Sequence, residues 1–147
     1  MLEFKLSKFD QIGILVRDIE KTVEILSSIL NFKEKLNIVE QKSNVIFKGQ
    51  KASFKMKKVM QQFDGKQLEI VEVLESTGNH LYLEYLNEGK QGLHHLGIFT
   101  KKAKPLMEFY QNTLGINVIQ SGDAGKVKFF YLNTIEILGF YLELIAF

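Results

Sequence analysis

Gln91-Gly92-Leu93-His94-His95-Leu96-Gly97-Ile98-Phe99 recurs, altered, near the start of the chain as Lys8-Phe9-Asp10-Gln11-Ile12-Gly13-Ile14-Leu15. An offset of 84 lays Gln11 on His95, Ile12 on Leu96, Gly13 on Gly97 and Ile14 on Ile98. Without a gap, the same offset lays Glu24 on Glu108, Leu26 on Tyr110 and Leu30 on Leu114. A self-similar period settles architecture before any local reading. Two long copies describe a duplicated half-domain rather than a solenoid.

Around each copy the pattern is the same. Ile12, Ile14 and Val16 alternate with Gln11, Gly13 and Leu15, which predicts a strand. Asp18 then stands where a helix N-cap belongs, and Ile19, Val23, Leu26 and Leu30 follow at helical spacing, giving a helix over 18–31. Strands are predicted at Lys33–Glu40, Ala52–Gln61 and Gln67–Leu74, with polar Gln41-Lys42-Ser43-Asn44 as a loop and Asp64-Gly65 as a hairpin turn. His80–Leu86 reads as a short helix behind Asn79, with His80 facing solvent.

The second unit repeats the order. Its strand is Leu93–Thr100, and its helix starts near Pro105, buries Leu106, Phe109, Tyr110 and Leu114, and ends at Gly115. Strands are predicted at Ile116–Gln120, Val127–Leu132 and Ile137–Ile145, with Gly122-Asp123-Ala124-Gly125 as a turn. Two tandem βαβββ modules, about 8–75 and 92–147 with a helical linker over 76–91, make a single α+β domain.

The composition suits such a domain: 147 residues, 46% hydrophobic, with a net charge of +2. The absence of cysteine removes disulfides, thiolate metal sites and a cysteine nucleophile. Lys and Arg are scattered, so no nucleic-acid partner is expected. The apolar C-terminal run is short and interrupted by Glu136 and Glu143, so no membrane span is expected. Met1–Lys8 is too charged for a signal peptide, and a cytoplasmic location is expected.

If the helices cover the faces carrying Ile12/Ile14 and Leu96/Ile98, the opposite face receives Gln11 and His95 from the first strand of each unit. Alternation in Gln67-Leu68-Glu69-Ile70-Val71 and Phe140-Tyr141-Leu142-Glu143-Leu144 sends Glu69 and Glu143 to that same face. A mid-strand carboxylate is costly unless paired, hydrogen-bonded or bound to a metal. Oxygen and imidazole donors without thiolate suit a divalent ion. His94 should point the other way, as a packing residue or a support behind the site's ligands, and Lys55, Lys57 and Lys58 read as a solvated surface. Gly122–Lys126 lacks the spacing of a phosphate loop and reads as a hairpin.

On Phe9–Ile14, Gln67–Ile70, Gly92–Ile98 and Leu138–Leu144, the chain resembles the vicinal-oxygen-chelate superfamily. That superfamily includes glyoxalase I, methylmalonyl-CoA epimerase, extradiol dioxygenases and bleomycin-resistance proteins. The resemblance implies paired modules in a half-open barrel and a divalent metal (Ni, Co, Zn or Mn) on Gln11, Glu69, His95 and Glu143. It implies catalysis by Glu143, with Glu40 near the place of a second acid/base carboxylate, and a homodimer. The substrate it implies is a small molecule with adjacent oxygens, an acyl-CoA or a hemithioacetal. The Gly-Leu-His-His run is similar to the epimerase subgroup, where histidine is usual at the position of Gln11. Glutamine there is similar to eukaryotic glyoxalase I, but Leu15 stands where that enzyme has its glutathione-contacting arginine. An epimerase-like isomerase is expected first, a glyoxalase-type lyase second, and a non-catalytic binding protein of the bleomycin-resistance type third.

Overall fold

The computed structural model describes residues 4–147, so part of the charged start read as lacking a signal peptide lies outside them. The first module comprises β1 (Gln11–Leu15), α1 (Ile19–Ile29), β2 (Val39–Phe47), β3 (Gln50–Phe63) and β4 (Lys66–Thr77). A short α2 (Leu81–Asn87) leads to the second: β5 (Gly92–Thr100), α3 (Ala103–Phe109), β6 (Val118–Ala124), β7 (Val127–Leu132), α4 (Ile135–Leu138) and β8 (Tyr141–Ala146). A π-helical segment, Tyr110–Leu114, extends α3 until Gly115 ends it in the left-handed region. No helix among the described residues is long and apolar enough to cross a membrane.

The eight strands form a ring in the order β1-β4-β3-β2-β6-β7-β8-β5. Each module contributes four neighbours. The modules meet at two seams: β1 against β5, and β2 against β6, the latter joined only at Val45–Gly122, Ile46–Ser121 and Phe47–Gln120. In each module the first and last strands run parallel, with the helix crossing over between them.

The helices sit where the alternation placed them. Asp18 caps α1 by accepting from the Lys21 N–H at 3.0 Å. Ile19, Val23 and Leu26 pack on Ile14, Val59, Leu68 and Ile70 outside the barrel. Leu106 and Tyr110 cover Leu132, Leu142 and Leu144 in the second module. Leu114, expected in that stripe, is instead 56% exposed, because the π turn rotates it off the face.

The strand predicted over Lys33–Glu40 lies largely in irregular chain, and the expected loop Gln41-Lys42-Ser43-Asn44 is the middle of β2. Leu36 and Ile38 pack under α1 without forming a ladder. In β2, Ser43 is buried and Gln41 half-buried, facing the barrel interior, while Glu40, Lys42 and Asn44 are exposed. A polar interior face hides a strand from a hydrophobicity pattern. Lys48-Gly49 and Asp64-Gly65 both have two consecutive positive φ values, which suits the two hairpins they close. The hairpin turn of the second module falls after Ala124, so β6 includes Gly122 and Asp123, and a short helix replaces the start of the predicted Ile137–Ile145 strand.

Candidate metal centre

β4, β1, β5 and β8 are consecutive in the ring, and the duplicated motif lies on its central pair. In the register of β1 against β5, Gln11 faces Gly97 and Gly13 faces His95. Each polar side chain therefore lies over the other strand's glycine. A Cβ on Gly13 would come within 2.0 Å of His95 Cε1, and one on Gly97 within 3.2 Å of Gln11 Oε1. On the flanks, Glu69 pairs with Gly13 and Glu143 with Gly97. The two glycines are thus the spaces in which the two halves of the site interlock.

The four expected residues come together. His95 Nε2 stands 2.9 Å from Gln11 Oε1, 3.2 Å from Glu69 Oε1 and 3.8 Å from Glu143 Oε1. Gln11 Nε2 donates to Gln67 Oε1 at 2.7 Å, so the amide oxygen is the atom turned to the centre. All four are buried. Three oxygens gathered round one imidazole nitrogen outnumber what a single N–H can satisfy, and the donor set fits a divalent cation. Among the described residues, the acidic group whose ligand atoms all lie within 4.8 Å of one another, Asp18, Glu20 and Glu72, lies elsewhere and is largely exposed. Its members cap α1, pair with Lys57 and accept from the Ile19 N–H, respectively.

The two carboxylates are driven apart in acidity. Burial pushes Glu69 up, but the hydrogen bond and charge of His95, with the Lys58 ammonium, outweigh it and hold Glu69 below its ordinary value. Burial pushes Glu143 up to about 7; His95 opposes the rise and Glu69 adds to it. His95 is itself raised: burial lowers it, and Glu143 and Glu69 more than compensate. Two carboxylates separated in this way are suited to different tasks, one staying charged and one able to trade a proton.

The centre opens into a cavity of about 440 Å³. Phe54, Met56, Met60, Phe99, Phe129 and Phe147 form much of its wall. Gln41, Ser43 and Gln120 add neutral polar groups, and Tyr131 lines the cavity beside Glu143.

Several expectations are corrected here. Glu40 lies outside the cavity, over half exposed and ion-paired to Lys55 at 2.9 Å, because strand alternation turns its neighbour Gln41 inward. Lys58 is not on the surface. It lines the cavity, on the same face of β3 as Phe54, Met56 and Met60. His94 points inward beside His95, not away. A register shift opposite Gly13 and Ile14 leaves His94 as the extra residue of a bulge. Its Nδ1 sits 2.9 Å from His95 Nδ1, among Tyr82, Tyr85 and Tyr141. His94 can therefore hold the outer nitrogen of His95 and leave Nε2 facing the centre.

His80 is fully buried rather than solvent-facing, stacked on Phe54, with Nε2 2.7 Å from Ser76 Oγ. Its Nδ1 faces the Leu83 N–H, so it takes the cap position that Asn79 was expected to hold. Burial lowers its pKa to about 4. The unfolded chain binds this proton near pH 6.5 and the folded chain only near 4, so the stability it confers is present above 6.5 and is lost as pH falls toward 4. The loss should be on the order of 3 kcal/mol at most. Urea melts from pH 7 to pH 4 should show a shallower decline for His80→Asn, which keeps a capping side chain; an unchanged slope would place the pH sensitivity elsewhere.

Comparisons with known proteins bear on the family and the fold. The family model described as glyoxalase/bleomycin resistance protein/dioxygenase superfamily matches residues 10–131. None of the curated proteins matches the chain. Among solved structures, a hypothetical protein of Bacillus halodurans C-125 is 17% identical with a TM-score of 0.66, over 95% of this chain and 94% of that one. The methylmalonyl-CoA epimerase of Mycobacterium tuberculosis is 14% identical with a TM-score of 0.62, over 94% and 86%. A Streptomyces coelicolor methylmalonyl-CoA epimerase in complex with 2-nitronate-propionyl-CoA is 18% identical with a TM-score of 0.59, over 97% and 98%. At these identities the likeness is one of fold.

Proposed function

The chain belongs to the glyoxalase/bleomycin resistance protein/dioxygenase superfamily, and from that premise we propose that it is a metal-dependent isomerase working by proton abstraction beside a carbonyl. The carrying observation is the convergence of Gln11 Oε1, Glu69 Oε1 and Glu143 Oε1 on His95 Nε2 within one cavity. Gln11, Glu69 and His95 would hold a divalent ion, with Glu143 as a fourth, more distant donor. The ion would supply polarisation of a substrate carbonyl and so acidify the neighbouring C–H.

The chain's own groups do the rest. Glu143, the farthest of the three oxygens from His95, takes the proton on a carboxylate whose affinity for it is already raised. The Phe and Met wall keeps water from the enolate. Epimerisation needs a proton on the other face of the same carbon, so with Glu143 as the single acid/base group the enolate must turn before the proton returns; return to the adjacent carbon is glyoxalase-type isomerisation. The structural likeness to methylmalonyl-CoA epimerases supports the first, with an acyl thioester as substrate. Glutamine in place of the histidine usual in epimerases supports the second.

The test couples metal content to solvent-deuterium exchange into a panel of acyl-CoA esters and 2-oxo hemithioacetals. About one ion per chain and exchange that a chelator abolishes are expected. The aromatic wall also suits a carrier of planar ligands. Less than roughly a tenth of an ion per chain after incubation with Ni, Co, Zn or Mn would favour that reading instead. Sedimentation would show whether the homodimer implied by the family forms.

A further inference from the structure

Lys58 is the one lysine or arginine among the described residues lining the cavity, and neither the ion site nor the proton transfer uses it. Its side chain is 17% exposed, and its Nζ lies 3.6 Å from Glu69 Oε2, longer than a hydrogen bond. An ammonium withdrawn from water is costly unless its donors are satisfied. The flanking residues of its face, Met56 and Met60, offer no side-chain oxygen, and Glu69 is the ion-pair partner it has beside the cavity.

Charge decides what should fill that space. Glu69 and Glu143 together outweigh Lys58 by one negative charge. A divalent ion held by the carboxylates would reverse the balance to one positive charge. A cavity walled by aromatic and thioether groups screens such a charge poorly, so a ligand carrying one negative charge is favoured over a neutral one.

Resting on the metal-dependent reading above, we propose that Lys58 is the specificity-determining residue of the cavity, binding a carboxylate that the substrate carries beside its reacting carbonyl. The preferred substrates are then monoanionic at the reacting end, with the ammonium donating to the carboxylate oxygens. A neutral hemithioacetal centre would leave the ammonium unpaired. Lys58 therefore separates the two reaction classes left open by the ion-binding residues.

The test uses two probes of one shape: malonamate, with one carboxylate and one amide, and malonamide, with two amides. Each is titrated by calorimetry into Mn-loaded wild type, Lys58→Met and Lys58→Arg. The wild type should prefer malonamate, and Lys58→Met should lose roughly tenfold or more of that preference, about 1.4 kcal/mol. Lys58→Arg should keep most of it, and all three should hold Mn. A preference unchanged in Lys58→Met with Mn still bound, or a Mn-loaded wild type that binds the probes alike or not at all, overturns the role of Lys58 and leaves the metal reading standing. A wild type that takes up no Mn overturns both.

Discussion

Glu143→Gln should fold and hold its shape, yet exchange substrate protons with solvent two to four orders of magnitude more slowly, roughly the range a positioned general base supplies. Glutamine keeps the length of the side chain and an oxygen at its end, but it cannot take up a proton. Stability should change little. The folded environment already favours the neutral carboxyl at this position, raising it to about 7, so a neutral amide relieves burial instead of adding to it. Glu69→Gln makes the contrast. That group is held ionised by His95 and Lys58, so its replacement removes a charge the surroundings are built to favour. It should weaken ion binding first, with lost exchange restored at high metal concentration. Deuterium incorporation followed by mass spectrometry or NMR reads both variants. A Glu143→Gln protein that exchanges at the wild-type rate removes Glu143 as the base.

What was legible in the sequence followed from the repeat. Gln11, His95 and their two glycines share one offset, and Glu69 and Glu143 each interrupt an apolar strand, so alternation alone sends all four to one face. The helices were legible because their buried faces are apolar. The misses along β2 and β3 share a physical origin: the interior of this barrel is partly polar. In β2 the inward residues include Gln41 and Ser43, so the pattern reads as a loop, and Glu40, named by the resemblance alone, lies one residue from the inward-facing Gln41. Lys58 was legible in principle, since Ala52, Phe54 and Met56 run on the same parity along β3, but its place in a lysine-rich stretch made it look solvated. His94 was not legible. A bulge breaks period two, and nothing in Gly92-Leu93-His94-His95 marks where the register slips.

Gly13→Ala should be the most damaging single methyl group in the protein. The position needs no unusual backbone angle, so conformational freedom is not the issue. Space is: the new Cβ would fall 2.0 Å from His95 Cε1, 2.2 Å from Nε2 and 2.4 Å from Nδ1, far inside van der Waals contact with the imidazole ring. Either the ring leaves the site or β1 and β5 separate. If the ring leaves, Glu69 and Glu143 lose the group that offsets their burial, a loss of about 3–5 kcal/mol when one partner of a buried pair is removed. Gly97→Ala is the milder counterpart, because its nearest contacts are Ile145 Cδ1 at 2.9 Å and Gln11 Cβ at 3.1 Å, and side chains at that range can give way. Thermal melts should therefore order wild type, Gly97→Ala and Gly13→Ala from most to least stable, and metal affinity should fall in the same order. The double variant Gly13→Ala/His95→Ala separates clash from chemistry. With the ring absent the methyl fits, so the two substitutions should be less than additive in stability, while ion binding stays lost in both. Additive losses, or a Gly13→Ala protein that melts and binds metal like the wild type, would show that His95 does not occupy the space over Gly13, and the interlocked site described here would fall with it.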